Sequence, residues 1–106
     1  MMSIKKNVTK EWLLQNNFIY NKTLSYSDED VYTYKRFPVY KSGNQTVLEC
    51  EINYFDTSNE FTVDVYEYGT KYIYIPFYCT EYGNYEIVLR RINKRINNEL
   101  MKLDLR

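Results

Sequence analysis

Three carboxylates in predicted strands are the residues whose type and spacing could carry acid–base chemistry. Glu49 and Glu51 lie two residues apart, which places them on one face of a strand, and Asp64 belongs to a neighbouring strand. Paired carboxylates can transfer protons or bind a hard cation. The alternative is a solvated strand face whose charges oppose edge-to-edge aggregation, and we favour that interpretation.

Composition argues against the commonest enzyme sites. The chain has no histidine, which excludes Ser-His and Cys-His nucleophiles and removes the commonest metal ligand. Neither a GxxxxGK[ST] nor a GxGxxG loop is present to hold phosphates. We therefore predict a non-enzymatic protein with no metal and no other cofactor.

Tyrosine is the most unusual component, with 13 residues in a chain of 106. On either side of Tyr68-Gly69-Thr70, tyrosines alternate with aliphatic residues, so we expect a row of tyrosines on the outer face of a sheet. Tyrosine is enriched at interface hot spots because it offers a large contact area at low entropy cost. The predicted protein-binding surface, for a homodimer or another protein, comprises Tyr66, Tyr68, Tyr72, Tyr74 and Tyr78 with Glu49, Glu51 and Asp64.

The abundance of tyrosine also has two simpler origins that stay open. Cross-strand tyrosine pairs can simply stabilise a half-exposed sheet. The chain also lacks alanine and is rich in Asn, Lys and Ile, which is the bias that an AT-rich genome produces. Three further tyrosines would join the row if the strand register permits: Tyr32, Tyr34 and Tyr40.

The last third of the chain offers an alternative function, nucleic-acid binding. A predicted helix there carries a basic face formed by Arg90, Arg91, Lys94 and Arg95, and such a face can contact phosphates. Stacking of bases on the tyrosines is less favourable, because residues 28–67 hold nine acidic and three basic residues. That surplus would repel a phosphate chain.

Period-two alternation of β-branched and aromatic residues predicts four strands. Two of them are Val31–Tyr40 and Thr46–Phe55. The stretch Glu60–Tyr78 supplies the other two as a hairpin around Tyr68-Gly69-Thr70. The residues expected on the core side of this hairpin are Phe61, Val63, Val65, Ile73, Ile75 and Phe77. Pro38 cannot donate to a ladder, so we expect an edge or a bend there.

Two helices flank these strands. Thr9 is the predicted N-cap of a helix over Lys10–Asn16, and Asn16-Asn17 is its predicted stop. Ser3 is an alternative cap for a longer first helix. A stripe at three- and four-residue steps predicts a second helix within Thr80–Leu103, which begins at Thr80 or Asn84. The stripe residues are Tyr85, Val88, Leu89, Ile92, Ile96, Leu100 and Leu103.

The element order predicts an α+β fold, a two-layer α-β-β-β-β-α arrangement with an antiparallel four-stranded sheet and a long C-terminal helix on one face. The length predicts a single domain over residues 1–106. We expect a cytoplasmic protein, because no secretory signal or membrane span is predicted. Cys50 and Cys79 are expected as reduced core thiols, with a disulfide between them as the alternative.

Several motifs are similar to those of small proteins from bacteriophages and mobile elements of AT-rich Gram-positive bacteria. They are Trp12-Leu13-Leu14-Gln15-Asn16-Asn17-Phe18-Ile19-Tyr20, Pro76-Phe77-Tyr78 and Glu81-Tyr82-Gly83-Asn84-Tyr85. This resemblance implies an anti-CRISPR or other anti-defence inhibitor. The lead hypothesis is a protein-binding module that inhibits a host defence protein.

Overall fold

The computed structural model describes residues 3–5, 8–25, 28–74, 79–80 and 83–106. The elements, in chain order, are β1 (Ser3–Lys5), α1 (Lys10–Gln15), β2 (Phe18–Tyr20), β3 (Val31–Ser42), β4 (Gln45–Phe55), β5 (Glu60–Glu67), β6 (Cys79–Thr80), β7 (Gly83–Asn84) and α2 (Tyr85–Lys102). An antiparallel sheet followed by a long C-terminal helix confirms the predicted α+β class.

The main sheet has five strands in the order β1-β5-β4-β3-β2. The three long strands, β3, β4 and β5, correspond to the first three predicted strands. The outermost strands are short and pair antiparallel, β1 with β5 and β2 with β3. In the described part of the fourth predicted strand, Ile73 forms a single bridge with Tyr66. Residues 75–78 of that strand, with Ile75 and Phe77, lie outside the described residues.

The first helix forms where the caps predict it. The hydroxyl oxygen of Thr9 accepts a hydrogen bond from the Trp12 amide at 3.1 Å, which satisfies one of the free donors of the first turn. Asn17 follows the helix with φ of 67°, a conformation that asparagine tolerates better than most residues. The helix therefore has the predicted start and stop. Strand β1 occupies Ser3–Lys5, which excludes the longer helix capped by Ser3.

The chain forms two compact units. The first comprises Met1–Arg36 with Glu51–Asp64, and the second comprises Phe37–Cys50 with Val65–Arg106. The core of the first unit is aromatic. The Phe61 ring lies 4.9 Å from that of Tyr54, 5.7 Å from that of Phe18 and 6.0 Å from that of Trp12. Edge-to-face and tilted ring pairs at these distances stabilise the core beyond the area they bury.

The core of the second unit contains the predicted stripe of α2. Val88, Ile92, Ile96 and Leu100 are buried, and Leu103 is buried just beyond the helix. The strand residues buried in the same unit are Phe37, Val39, Leu48, Cys50 and Val65. Leu89 is half-buried, and the Tyr85 side chain lies outside what the structure describes.

The end of α2 is closed by a Schellman motif. The Leu105 amide donates to the Leu100 carbonyl at 2.8 Å, and the Asp104 amide donates to the Met101 carbonyl at 3.0 Å. Leu105 and Leu100 are both buried, as the hydrophobic contact of this motif requires. Asp104 holds the left-handed position with φ of 58°. Glycine is the usual occupant of that position, because it has no Cβ to clash with the following carbonyl.

Strand β3 changes its alternation midway. Thr33 bonds to Asn53 of β4, and Arg36 pairs with Glu51 of β4. The partners in β4 are two residues apart, whereas the residues in β3 are three apart. Strand β3 therefore accommodates one extra residue between Thr33 and Arg36, as in a β-bulge. Pro38 lies beyond the three residues of β3, Tyr32 to Tyr34, that pair with β2 in the part of the chain that the structure describes.

The first testable prediction concerns the buried stripe of α2. Ile92→Ala should lower the free energy of unfolding by about 2–4 kcal/mol, because it leaves a cavity in the core. Arg91→Ala, one residue away on the exposed side, should change it by no more than about 0.5 kcal/mol. Urea titrations of both variants check this, and equal losses would contradict the observed helix face.

The second prediction concerns Asp104. Asp104→Gly should stabilise the chain by about 0.5–1 kcal/mol, because glycine adopts a positive φ without steric cost and an acidic residue at a helix C-terminus is unfavourable. Asp104→Ala is the matched control, since it removes the charge and keeps the Cβ. Thermal melts should show a larger gain for glycine than for alanine. An equal gain for alanine would attribute the effect to charge alone.

Candidate functional site

Two backbone hydrogen bonds join β5 to the segment that follows it and define the turn between them. The Glu67 amide donates to the Tyr72 carbonyl at 3.0 Å, and the Tyr74 amide donates to the Val65 carbonyl at 2.8 Å. Gly69 has a φ of 72°, which favours glycine at this position. Four residues, 68–71, therefore form the loop of a hairpin whose second arm is the segment 72–74.

The register of this hairpin differs from the predicted one. Tyr66 lies opposite Ile73, whereas a three-residue turn at Tyr68-Gly69-Thr70 would have placed it opposite Tyr72. The loop includes Lys71 as a fourth residue, and a shift of one residue moves every side chain of an arm to the other face.

The prediction of a single outward row of tyrosines is therefore wrong. Tyr74 lies across from Val65, a core residue, and it is half-buried. Tyr66 shares the opposite face with Ile73, which was expected in the core and is 53% exposed. Tyr78 lies outside the described residues.

Three exposed side chains at the end of the hairpin replace the row. Tyr72 is 71% exposed and Tyr68 is 55% exposed, and together with Ile73 they give three large, exposed side chains within six residues. We call Tyr68, Tyr72 and Ile73 the hairpin tip. Sequence reasoning found the two tyrosines and missed Ile73, because its exposure follows from the loop length.

The three tyrosines of β3 do not extend the hairpin tip. Tyr32 is buried and contacts the Tyr20 ring at 5.7 Å. Tyr34 is half-buried, with its ring 5.3 Å from that of Phe18. Both belong to the aromatic packing of the first unit, and Tyr40 is half-buried in the second unit. The conditional extension of the row to these residues is therefore wrong for Tyr32 and Tyr34, because the ring contacts hold them inside.

Glu49 supports the hairpin loop. One of its carboxylate oxygens accepts a hydrogen bond from the Gly69 amide at 2.7 Å, and the Tyr68 amide donates to the Val47 carbonyl at 3.1 Å. Thr70 adds a third restraint, because its hydroxyl donates to the Glu67 carbonyl and accepts from the Tyr72 amide. Together these bonds hold the loop that carries the hairpin tip.

Glu51 lies in a polar network on β4 and its neighbours. It is 3.6 Å from the Arg36 guanidinium, and it accepts from the Asn53 side-chain amide at 3.3 Å. Asn53 is only 3% exposed, and its oxygen accepts from the Thr33 hydroxyl at 2.5 Å. Asn21 donates to the same Thr33 hydroxyl at 2.8 Å. The network satisfies a buried amide and aligns β3 with β4, which is a structural role.

Asp64 adds a second carboxylate to this part of the sheet. Burial raises the pKa of Asp64 above its ordinary value, and the negative charge of Glu51 raises the pKa further. A raised carboxyl pKa can mark a functional site, but it can equally mark a structural cluster of charges. The residues that the structure describes contain no group of three or more His, Cys, Asp or Glu side chains that could hold a metal ion.

The predicted basic face of α2 is only partly exposed. Arg90, Arg91 and Lys94 are exposed. Arg95 is instead half-buried, with a 3.0 Å ion pair to Glu99 and its guanidinium 5.2 Å from the centre of the Phe37 ring. Arg95 therefore has a structural role within the second unit, and three of the four predicted residues form the accessible basic surface.

Comparison of the chain with protein-family models, with curated proteins and with solved structures finds no match. Among the described residues, no helix has both the length and the apolar character needed to cross a membrane.

The third prediction concerns the raised pKa of Asp64. A proton binds more tightly to Asp64 in the folded state, so ionisation of Asp64 destabilises the fold above its folded pKa. Asp64→Asn should therefore raise the free energy of unfolding at pH 7. The gain should vanish as the pH falls below about 3.9, because the unfolded carboxyl then also binds its proton.

Urea titrations between pH 3 and pH 7 measure this effect. Asp56→Asn, at an exposed turn position, makes the same change in net charge and is the matched control. A similar gain in both variants would assign the effect to net charge. A gain for Asp64→Asn that persists at pH 3 would contradict the raised pKa.

Proposed function

We propose that this chain is a non-enzymatic protein-binding module that contacts its partner through the hairpin tip. The observation that carries the proposal is the exposure of Tyr68, Tyr72 and Ile73, each of which presents more than half of its surface to solvent. Large apolar side chains exposed within one short loop region are typical of interaction surfaces. Tyrosine in particular is enriched among the residues that dominate binding energy.

The restraint of the loop supports the same proposal. Glu49 and Thr70 fix the backbone on which the hairpin tip stands. A loop held in one conformation loses less entropy when a partner binds, so more of the contact energy contributes to affinity. The predicted acidic residue Glu49 therefore contributes by positioning the tip, while Glu51 and Asp64 belong to the first unit.

The kind of partner is inferred from the resemblance to phage and mobile-element proteins. On that basis the partner is a host defence protein in the bacterial cytoplasm, and the chain is an anti-CRISPR-like inhibitor. The exposed tip supports binding as such, and it carries no information on which protein is bound. A second copy of the chain is the other partner that the same surface could take.

The fourth prediction tests the hairpin tip. Tyr72→Ser with Ile73→Ser should weaken partner binding at least about 30-fold, because a hot-spot residue contributes about 2 kcal/mol or more. The melting temperature should change little, since both side chains are exposed in the free protein. Affinity capture from a nuclease-treated host lysate, followed by titration of the captured protein, gives the dissociation constant.

The matched control is Leu14→Ser with Met101→Ser, which removes two other exposed apolar side chains. This variant should capture the partner as the unmodified chain does. Light scattering of all three proteins shows whether the tip mediates self-association. Unchanged capture and unchanged oligomeric state in the Tyr72 and Ile73 variant would exclude the hairpin tip as the binding surface.

A further inference from the structure

One face of α2 carries polar and basic side chains at helical spacing. Arg90, Asn93, Lys94, Asn97 and Asn98 recur at steps of three and four residues, and they line one shallow depression along the helix. We call these five residues the α2 stripe. Residues at such steps are neighbours on the same side of a helix. The stripe therefore presents two cations and three amides side by side.

The residues that line this depression include two cations, Arg90 and Lys94, and one carboxylate, Glu86, so the net charge of the lining is positive. Arg95 and Glu99 neutralise each other in a 3.0 Å ion pair. The remaining charged residues of α2 are Glu86, at the start of the helix, and Arg90, Arg91, Lys94 and Lys102. Among the described residues, no ion pair involves Arg90, Arg91 or Lys94. These three cations face solvent and can neutralise the charges of an anionic partner.

The chemistry of the stripe favours nucleic acid over protein as that partner. A protein-binding helix normally presents apolar anchors at these steps, whereas the half-buried Leu89 is the only apolar member of the described residues that line this depression. Cations contact phosphates, and side-chain amides of asparagine form paired hydrogen bonds with the edge of adenine. A helical face that carries both cations and amides can therefore contact both the phosphates and the bases of a nucleic acid.

The dimensions of the helix are compatible with the major groove of duplex DNA. Helix α2 has 18 residues and is therefore about 27 Å long, with a diameter of about 10–12 Å including side chains. The major groove of B-form DNA is about 12 Å wide and admits an α-helix. The major groove of A-form RNA is too narrow for side chains to read the bases.

We propose that the α2 stripe binds double-stranded DNA in the major groove. Arg90 and Lys94 of the stripe contact phosphates together with the neighbouring exposed Arg91, and Asn93 contacts a base edge. Asn97 accepts a hydrogen bond from the Arg106 guanidinium, so it is held by the chain end and is a less suitable base contact. This inference goes beyond the proposed protein contact, because it concerns a different surface and a different class of partner.

The fifth prediction follows from the three phosphate contacts. Each contact contributes about −0.9 to the slope of the logarithm of the association constant against the logarithm of the salt concentration. Three contacts should weaken binding about 40-fold between 50 and 200 mM salt, starting from a micromolar dissociation constant at 50 mM. Arg90→Gln with Lys94→Gln removes two contacts, so the remaining salt effect should be about 3-fold over the same range.

Fluorescence anisotropy with a labelled 20-base-pair DNA duplex measures these values, and a double-stranded RNA of equal length is the comparison. Lys10→Gln with Lys22→Gln is the matched control, because it removes two exposed positive charges elsewhere. The control should keep the salt dependence of the unmodified chain. Asn93→Ala should keep the salt dependence too, and should abolish any preference between A·T-rich and G·C-rich duplexes.

Four results would overturn the proposal. The first is no DNA binding by the unmodified chain at 50 mM salt and 100 μM protein. The second is an equal loss of DNA affinity in the stripe variant and in the control, which would attribute the effect to net charge alone. The third is binding of duplex RNA as tight as that of DNA, which would exclude the major groove. The fourth is a dimer in sedimentation that only the stripe variant loses, which would assign the stripe to a contact between copies.

Discussion

The alternation of side chains along β4 is the constraint on which the rest of the structure depends. Leu48, Cys50, Ile52 and Tyr54 are all buried, and the residues between them bond to neighbouring segments. Glu49 holds the hairpin loop, Glu51 pairs with Arg36, and Asn53 bonds to Thr33. A slip of one residue would bring both glutamates to the apolar side at a large desolvation cost. The register of β4 is therefore fixed from both faces.

The local elements could be predicted from the sequence because their determinants lie within a few residues. The Thr9 cap and the Asn17 stop each depend on neighbouring backbone groups, and the buried stripe of α2 repeats often enough to be unambiguous. Strand β4 was predictable because apolar and polar residues alternate from Leu48 to Tyr54. The period of the apolar residues and the capping residues were sufficient to predict these elements, and the predicted elements indicated the α+β class.

The register of the hairpin was not predictable, because it depends on the length of one loop, whereas the bulge in β3 left a signal in the sequence. In β3, apolar side chains occur at Tyr32 and Tyr34 and then at Phe37 and Val39, so the step of three between Tyr34 and Phe37 marked the bulge. In the hairpin, Lys71 could be the first residue of the second arm or the last residue of the loop. Gly69 lies in the turn in either case. Alternation within each arm is the same in either register. The sequence therefore indicated an aromatic hairpin, and the faces of its tyrosines depended on the loop length.

The candidate site is best understood by comparing two residues that depart from the usual rule of burial. Asn53 is a buried amide, and its hydrogen bonds to Thr33 and Glu51 offset the cost of removing it from water. Ile73 is an exposed aliphatic residue in contact with water over half of its surface, and the fold gains little from it. Its removal from water by a partner would contribute roughly 25 cal/mol for each Å² covered. Burial of Ile73 and its two tyrosine neighbours would therefore stabilise a complex rather than the free fold. The polar network around Asn53, in contrast, already stabilises the free fold.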